Sequence, residues 1–272
     1  MRGRLKIAGG EIAYEVRGEG PAVLLLHAFP LGLVMWDDQV RALEATHEVV
    51  RFDCRGFGGS PPGEALLTME RVADDAAALL DHLEVSQAVV CGVSMGGYGA
   101  FAMVRRHPDR LRGLVLADTR AGPDNEDLRR LRSEQASKVL REGSGAIAEA
   151  FLPRLVGETT HKERPALVAR LREIIVANPP RGIADALAGL AARGESTPTL
   201  REVRVPTLLI WGAEDTLSPL AEAEKIKDGI AGSRLEVVPK AGHLSNMENP
   251  EAWNAALRTF LGTFPNTQRR SA

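Results

Sequence analysis

Apolar residues along this chain gather in short runs closed by turn residues: 22–27 (AVLLLH), 48–53 (EVVRFD), 88–93 (AVVCGV), 112–118 (RGLVLAD), 205–211 (VPTLLIW) and 234–239 (RLEVVP). Runs this short and uninterrupted suit strands covered on both faces. Between most of them lie stretches with helical spacing of apolar positions, around 68–84, 95–107, 218–231 and 249–261. Strands alternating with helices predict a mostly parallel, doubly wound α/β sheet with right-handed crossovers. Ahead of these runs, residues 5–17 (LKIAGGEIAYEVR) predict two short strands folded about Gly9-Gly10. One interval departs from the alternation. From about 120 to 196 no strand-like run occurs, and amphipathic stretches (NEDLRRLRSEQASKVLRE, SGAIAEAFLPRL, PALVARLREIIVAN, GIADALAGLAAR) predict roughly four helices inserted into the α/β unit. Pro179-Pro180 separates the last two, because proline cannot continue a helix but fits its first turn. The expected organisation is a core of 1–119 and 197–272 with a helical cap at 120–196, and a frayed tail, NTQRRSA, at the end of the chain.

Composition narrows the partners. At 272 residues the chain can bury a sizeable core. With 34 Lys and Arg against 36 Asp and Glu, its net charge of −2 offers no field to attract nucleic acid or an anionic membrane, so the expected partner is small and largely uncharged. No apolar stretch approaches the ~20 residues of a membrane span. The first residues, MRGRLKIAGGEIAYEV, contain no signal-peptide core, and the chain reads as cytoplasmic. Cys54 and Cys91 offer neither a disulfide framework nor a metal-ligand spacing and are expected to be buried thiols.

Gly92-Val93-Ser94-Met95-Gly96 fits G-x-S-x-G, with a buried-type strand before it and a helical pattern after it. A sharp strand-to-helix turn that raises Ser94 leaves no room for side chains two residues away, which accounts for glycine at 92 and 96. Gly97 and Gly99 are expected to let the helix lie close to the strand. A serine hydroxyl is a poor nucleophile unless a base takes its proton and a third group orients that base. Among six histidines, His243 falls in a loop (KAGHLSNMENPEAW) after the last strand, where this architecture gathers its site. His47, His82, His107 and His161 read as surface or capping residues. Asp215, just past a strand in LLIWGAEDTLSP, would alone read as a turn or N-cap aspartate. In the order Ser94, Asp215, His243, each at a strand exit, the three match the chain order of the α/β-hydrolase triad. Asp118, ending LVLAD, is a rival acid with an alternative task, accepting N–H bonds within its own turn.

The segments HAFPLGLVMW (27–36), DCRGFGGS (53–60), GVSMGG (92–97), GAEDTLSP (212–219) and AGHLSNMENP (241–250) resemble the block set of the α/β-hydrolase superfamily. The likeness is to the serine esterase and lactonase branch, including enol-lactonase-like and acyl-homoserine-lactonase-like members. It implies an eight-stranded sheet, a helical cap after the sixth strand, and hydrolysis of a carboxylic ester or lactone through an acyl-enzyme on Ser94, with no metal or organic cofactor. The motif supplies one oxyanion donor, the backbone N–H of Met95, and the resemblance points to the N–H of Phe29 for the second. Perhydrolase and C–C bond hydrolase activities use the same triad and stay open, as does a ligand receptor built on the fold. Either a monomer or a homodimer fits. Ala28 departs from the pattern, standing where the family usually has glycine, and its Cβ is expected to narrow or reorient the oxyanion loop.

Overall fold

The computed structural model describes residues 1–265; the tail read as frayed, Asn266–Ala272, lies outside the described residues. Eight strands form one sheet: β1 (Arg2–Ile7), β2 (Gly10–Arg17), β3 (Ala22–Leu26), β4 (Glu48–Phe52), β5 (Ala88–Val93), β6 (Leu111–Ala117), β7 (Thr207–Gly212) and β8 (Arg234–Val238). Their order is β1-β2-β4-β3-β5-β6-β7-β8. β2 runs antiparallel to both its neighbours, and every pairing from β4 to β8 is parallel. The buried runs of β3, β5 and β7 have no exposed position, as strands covered on both faces require. The edge strand β1 instead alternates between exposed and half-buried positions. The first hairpin departs from expectation in register. β1 starts earlier, the turn is Ala8-Gly9 with Gly9 at φ 71°, and Gly10 already belongs to β2.

Twelve α-helices accompany the sheet among the described residues: α1 (Asp37–Leu43), α2 (Met69–His82), α3 (Met95–Arg106), α4 (Glu126–Glu142), α5 (Gly145–Leu155), α6 (Glu158–Glu163), α7 (Pro165–Ala177), α8 (Pro180–Ala192), α9 (Thr197–Leu200), α10 (Leu220–Gly229), α11 (Ser245–Glu248) and α12 (Pro250–Leu261). α3 packs on β3, β5 and β6 and is backed by α2, whereas α1 and α12 pack together, with α12 on β7 and β8. Side-chain caps set where several begin: Thr68 accepts from the Arg71 N–H, Asn125 from Leu128 and Asn249 from Ala252. None of these helices is long and apolar enough to cross a membrane.

Within the interval 120–196 stand five helices, α4 to α8, rather than the four expected, and the short α9 follows before β7. The addition is α6 (ETTHKE), a six-residue helix too short and polar to carry a periodic signal. α1 escaped the sequence reading for the same reason. α8 lies directly on the core. A Cβ at Gly182 would sit 2.0 Å from the Gly56 carbonyl oxygen, and one at Gly189 would sit 1.9 Å from that of Leu67. A second anchor is ionic. Arg51 on β4 donates to Glu15 on β2 and to Asp37 on α1, and Asp37 also accepts from Arg170 on α7.

The α8 contact sets two effects in opposition. Alanine exceeds glycine in helix propensity by about 1 kcal/mol, but backbone overlap at this depth costs about 1–3 kcal/mol or more. Gly189→Ala is expected to lower the thermal midpoint by several degrees, whereas Gly194→Ala, with open space around its Cβ, is expected to leave it unchanged or higher. Differential scanning calorimetry on both variants checks the sign.

Candidate active site

Ser94 sits between the end of β5 and the start of α3 with φ 53° and ψ −112°, a left-handed backbone that an L-residue holds only under constraint. The constraint is close approach. A Cβ on Gly92 would lie 2.2 Å from the Gly96 carbonyl oxygen, and one on Gly96 would lie 2.0 Å from that of Leu26 on β3. The Ser94 N–H donates to Ala117 O at 2.9 Å, and Thr119 Oγ1 donates to Ser94 O at 2.8 Å, so the end of β6 holds the turn from both sides. Gly97 and Gly99 serve contacts other than the one expected. A side chain at 97 would strike Thr119 beyond β6, and one at 99 would strike Val72 on α2.

His243, in the loop after β8, is buried, and its Nε2 lies 2.8 Å from Ser94 Oγ. Its Nδ1 lies 2.8 Å from Asp215 Oδ2. Asp215 is itself oriented, because Oδ1 accepts the N–H groups of Leu217 at 2.8 Å and Ser218 at 2.9 Å. A carboxylate can only accept, so the imidazole proton resides on Nδ1 and the bare Nε2 accepts the serine hydroxyl. The three side chains come together from the exits of β5, β7 and β8.

Asp118 is fully buried at φ 48° but does not bond within its own turn as expected. Oδ1 accepts the Gly212 N–H at 2.8 Å, and Oδ2 accepts the Ser245 hydroxyl. It therefore joins β7 to the segment that follows His243. Burial, reinforced by the charge of Asp215, pushes its carboxyl well above the usual range. His27 is likewise structural. Its Nε2 accepts from the Cys54 N–H at 2.9 Å and its Nδ1 donates to Ala28 O at 3.0 Å, while burial lowers its pKa and keeps it neutral. Both cysteines are buried free thiols.

The backbone N–H groups of Phe29, after β3, and Met95, at the first turn of α3, have no hydrogen-bond partner among the described residues. Both residues line the cavity that opens over Ser94. Ala28 is fully buried with its φ outside the left-handed region, so its Cβ brings no backbone strain to this loop. The Ala28 N–H is turned to Met35 Sδ at 3.1 Å.

Two acids that no pattern singled out hold the surrounding loops. Glu248 accepts from the Leu244 N–H at 3.0 Å and from the Gly157 N–H and Thr160 Oγ1, both at 2.7 Å. Glu214 accepts the Thr159 N–H at 2.9 Å. The cavity measures about 150 Å³ and is walled by Phe29, Met95, Tyr98 and Leu217 from the core and by Leu128, Phe151, Leu155 and Leu190 from α4, α5 and α8. Among the described residues no cluster of His, Cys, Asp or Glu is placed to hold a metal ion.

Comparison with known proteins bears on the fold and the family. Residues 21–250 match the family model described as alpha/beta hydrolase fold. The curated 3-oxoadipate enol-lactonase 2 of Acinetobacter baylyi is 28% identical over 248 residues, covering 91% of each chain. Among solved structures, a malate-bound thermophilic esterase from Thermogutta terrifontis is 41% identical with a TM-score of 0.93, over 96% of this chain and 98% of that one. The enol-lactonase of Burkholderia xenovorans is 30% identical with a TM-score of 0.89, over 96% of this chain and all (100%) of that one. An eight-stranded sheet with a serine elbow after β5, relatives that include esterases and enol-lactonases, and a family match across most of the chain lead to one assignment: the protein belongs to the alpha/beta hydrolase family.

Proposed function

We propose that the protein is a serine hydrolase that cleaves carboxylic esters or lactones through an acyl-enzyme on Ser94. The observation that carries this reading is the unbroken relay of two 2.8 Å hydrogen bonds from Ser94 Oγ through His243 to Asp215, at the floor of a cavity. Ser94 Oγ attacks the carbonyl carbon as His243 Nε2 takes its proton, and Asp215 stabilises the imidazolium that results. The N–H groups of Phe29 and Met95 receive the oxyanion, each such donor contributing about 3–4 kcal/mol to the transition state. Collapse of the tetrahedral intermediate breaks the acyl C–O bond, and the proton on His243 passes to the leaving alkoxide. A water, deprotonated by His243, then attacks the acyl carbon and releases the acid and Ser94. Helices α4 to α8 act as a cap, closing the cavity and shaping the acyl or lactone site. The esterase and enol-lactonase relatives support this substrate range.

Ser94→Ala is expected to abolish ester hydrolysis with an unchanged circular dichroism spectrum, and a fluorophosphonate is expected to label the wild type once, at Ser94, by peptide mass mapping. Labelling at another residue, or more than trace activity in the variant, removes the nucleophile assignment.

The acid is tested by contrast. Asp215→Asn is expected to lower kcat by about 10⁴, the loss seen when the orienting carboxylate of a serine protease is replaced. Asp118→Asn is expected to act mainly on stability. The folded-state pKa of Asp118 is raised, so its protonated form contributes stability that is fully present below the unfolded pKa and is lost as pH rises through the folded value. The stability deficit of Asp118→Asn is therefore expected to be largest in acid and to shrink as pH rises, read by urea unfolding at several pH values. A kcat loss larger for Asp118→Asn than for Asp215→Asn reassigns the acid.

A further inference from the structure

The even charge balance of the whole chain does not extend to the cavity over Ser94. Its wall carries three guanidinium groups, Arg120, Arg132 and Arg154, and one carboxylate, Asp124. Asp124 is already neutralised. It is buried and accepts from Arg132 Nε on one side and from Arg193 Nη1 on the other. Arg193 is held in turn by the Gly122 carbonyl oxygen at 2.7 Å and by the face of Tyr98, with 4.1 Å from its guanidinium carbon to the ring centre.

Arg120 and Arg154 differ from that pair. Arg120 leaves the end of β6 half-buried and donates through Nη2 to Leu217 O; Arg154 extends from α5 and donates to Thr216 O at 3.3 Å. Both reach the backbone of the loop that carries Asp215. Neither forms a salt bridge with any carboxylate among the described residues. A guanidinium has five N–H donors in a planar fork that matches a carboxylate, and a single carbonyl contact leaves most of them for a ligand. In a small, partly enclosed cavity such a charge acts through a dielectric well below that of water. At about 150 Å³ the space is comparable to one that accommodates a benzene ring, which suits a compact substrate.

From this juxtaposition we propose that the cavity selects substrates carrying a free carboxylate remote from the scissile bond, held by Arg120 with Arg154 at the mouth. The substrate class is then monoanionic short esters or lactones rather than neutral ones. The proposal rests on the hydrolase reading of Ser94, and its experiment separates the two.

The test uses matched pairs in which a carboxylate replaces an isopropyl group of similar shape: monomethyl succinate against methyl 4-methylpentanoate, and carboxymethyl butanoate against isobutyl butanoate. Titrimetric kcat/KM on the wild type is expected to favour the anion at least about tenfold in one pair, the range of a charged hydrogen bond. The preference is expected to shrink as salt is raised. It is expected to fall toward one in Arg120→Gln, which removes the charge and keeps a polar side chain, and to fall less in Arg154→Gln, an exposed position that keeps the test available should the first variant fail to fold. A role confined to pinning the loop would change both members of a pair equally.

Turnover of the neutral esters with a ratio near one in both pairs overturns the carboxylate subsite and leaves the hydrolase reading standing. A wild-type preference that survives both substitutions overturns the arginine assignment. If no ester is turned over, calorimetric binding to Ser94→Ala decides. Tighter binding of monomethyl succinate than of its neutral counterpart upholds the subsite without the hydrolase reading, and equal or no binding overturns the subsite too.

Discussion

The whole site depends on how near α3 comes to the sheet. With Gly96 almost touching the Leu26 carbonyl and Gly92 almost touching Gly96, the chain can leave β5 only through the left-handed backbone of Ser94. That turn brings Oγ to the strand ends and leaves the Met95 N–H without a partner among the described residues at the first turn of a helix, where the partial positive charge of the helix end favours an anion. Local strain of about 1–3 kcal/mol is tolerated because the sheet over-determines the conformation, through Ala117 on one side and Thr119 on the other.

Precision in the rest of the constellation comes from side chains that touch no substrate. Asp118 spans from the exit of β6 to Gly212 on β7 and to Ser245, two residues beyond His243. The separations among Ser94, Asp215 and His243 are thereby referred to one buried node rather than to three independent loops. Hydrogen bonds of this kind have little net value singly, but a buried acceptor deprived of its donors is expensive, so the arrangement is strongly specified.

Much of this could be read from the chain. The run at 88–93 coincides with β5, because a strand buried on both faces has almost no polar residues to blur it, and the run at 48–53 falls within a residue of β4 although Glu48 and Arg51 interrupt it. G-x-S-x-G carried its own steric reason, and the order Ser94, Asp215, His243 placed each member at a strand exit, where the structure brings them together. What escaped had no local signature. α6 is a single polar turn and a half, and its place is set by Glu214 and Glu248 reaching it from other parts of the fold. The partners of Asp118 lie 94 positions away at Gly212 and 127 away at Ser245, distances over which an isolated aspartate gives no pattern to follow. The arginines of the cavity were invisible for a related reason: a net charge of −2 averages over a surface on which Arg120 and Arg154 happen to border one small space.

Glu248 places a limit on the modularity of the molecule. Its two carboxylate oxygens are divided between the Leu244 N–H, next to His243, and the Gly157 N–H and Thr160 hydroxyl at the start of α6. The helical segment is therefore not a detachable lid. Transplanting the corresponding segment from a relative would strand a buried carboxylate unless the donor sequence brought its own N–H and hydroxyl to the same place, or unless residue 248 were exchanged along with it. In this architecture the part free to diversify is the cavity wall built by α4, α5 and α8, while α6 has to travel with the histidine loop it supports.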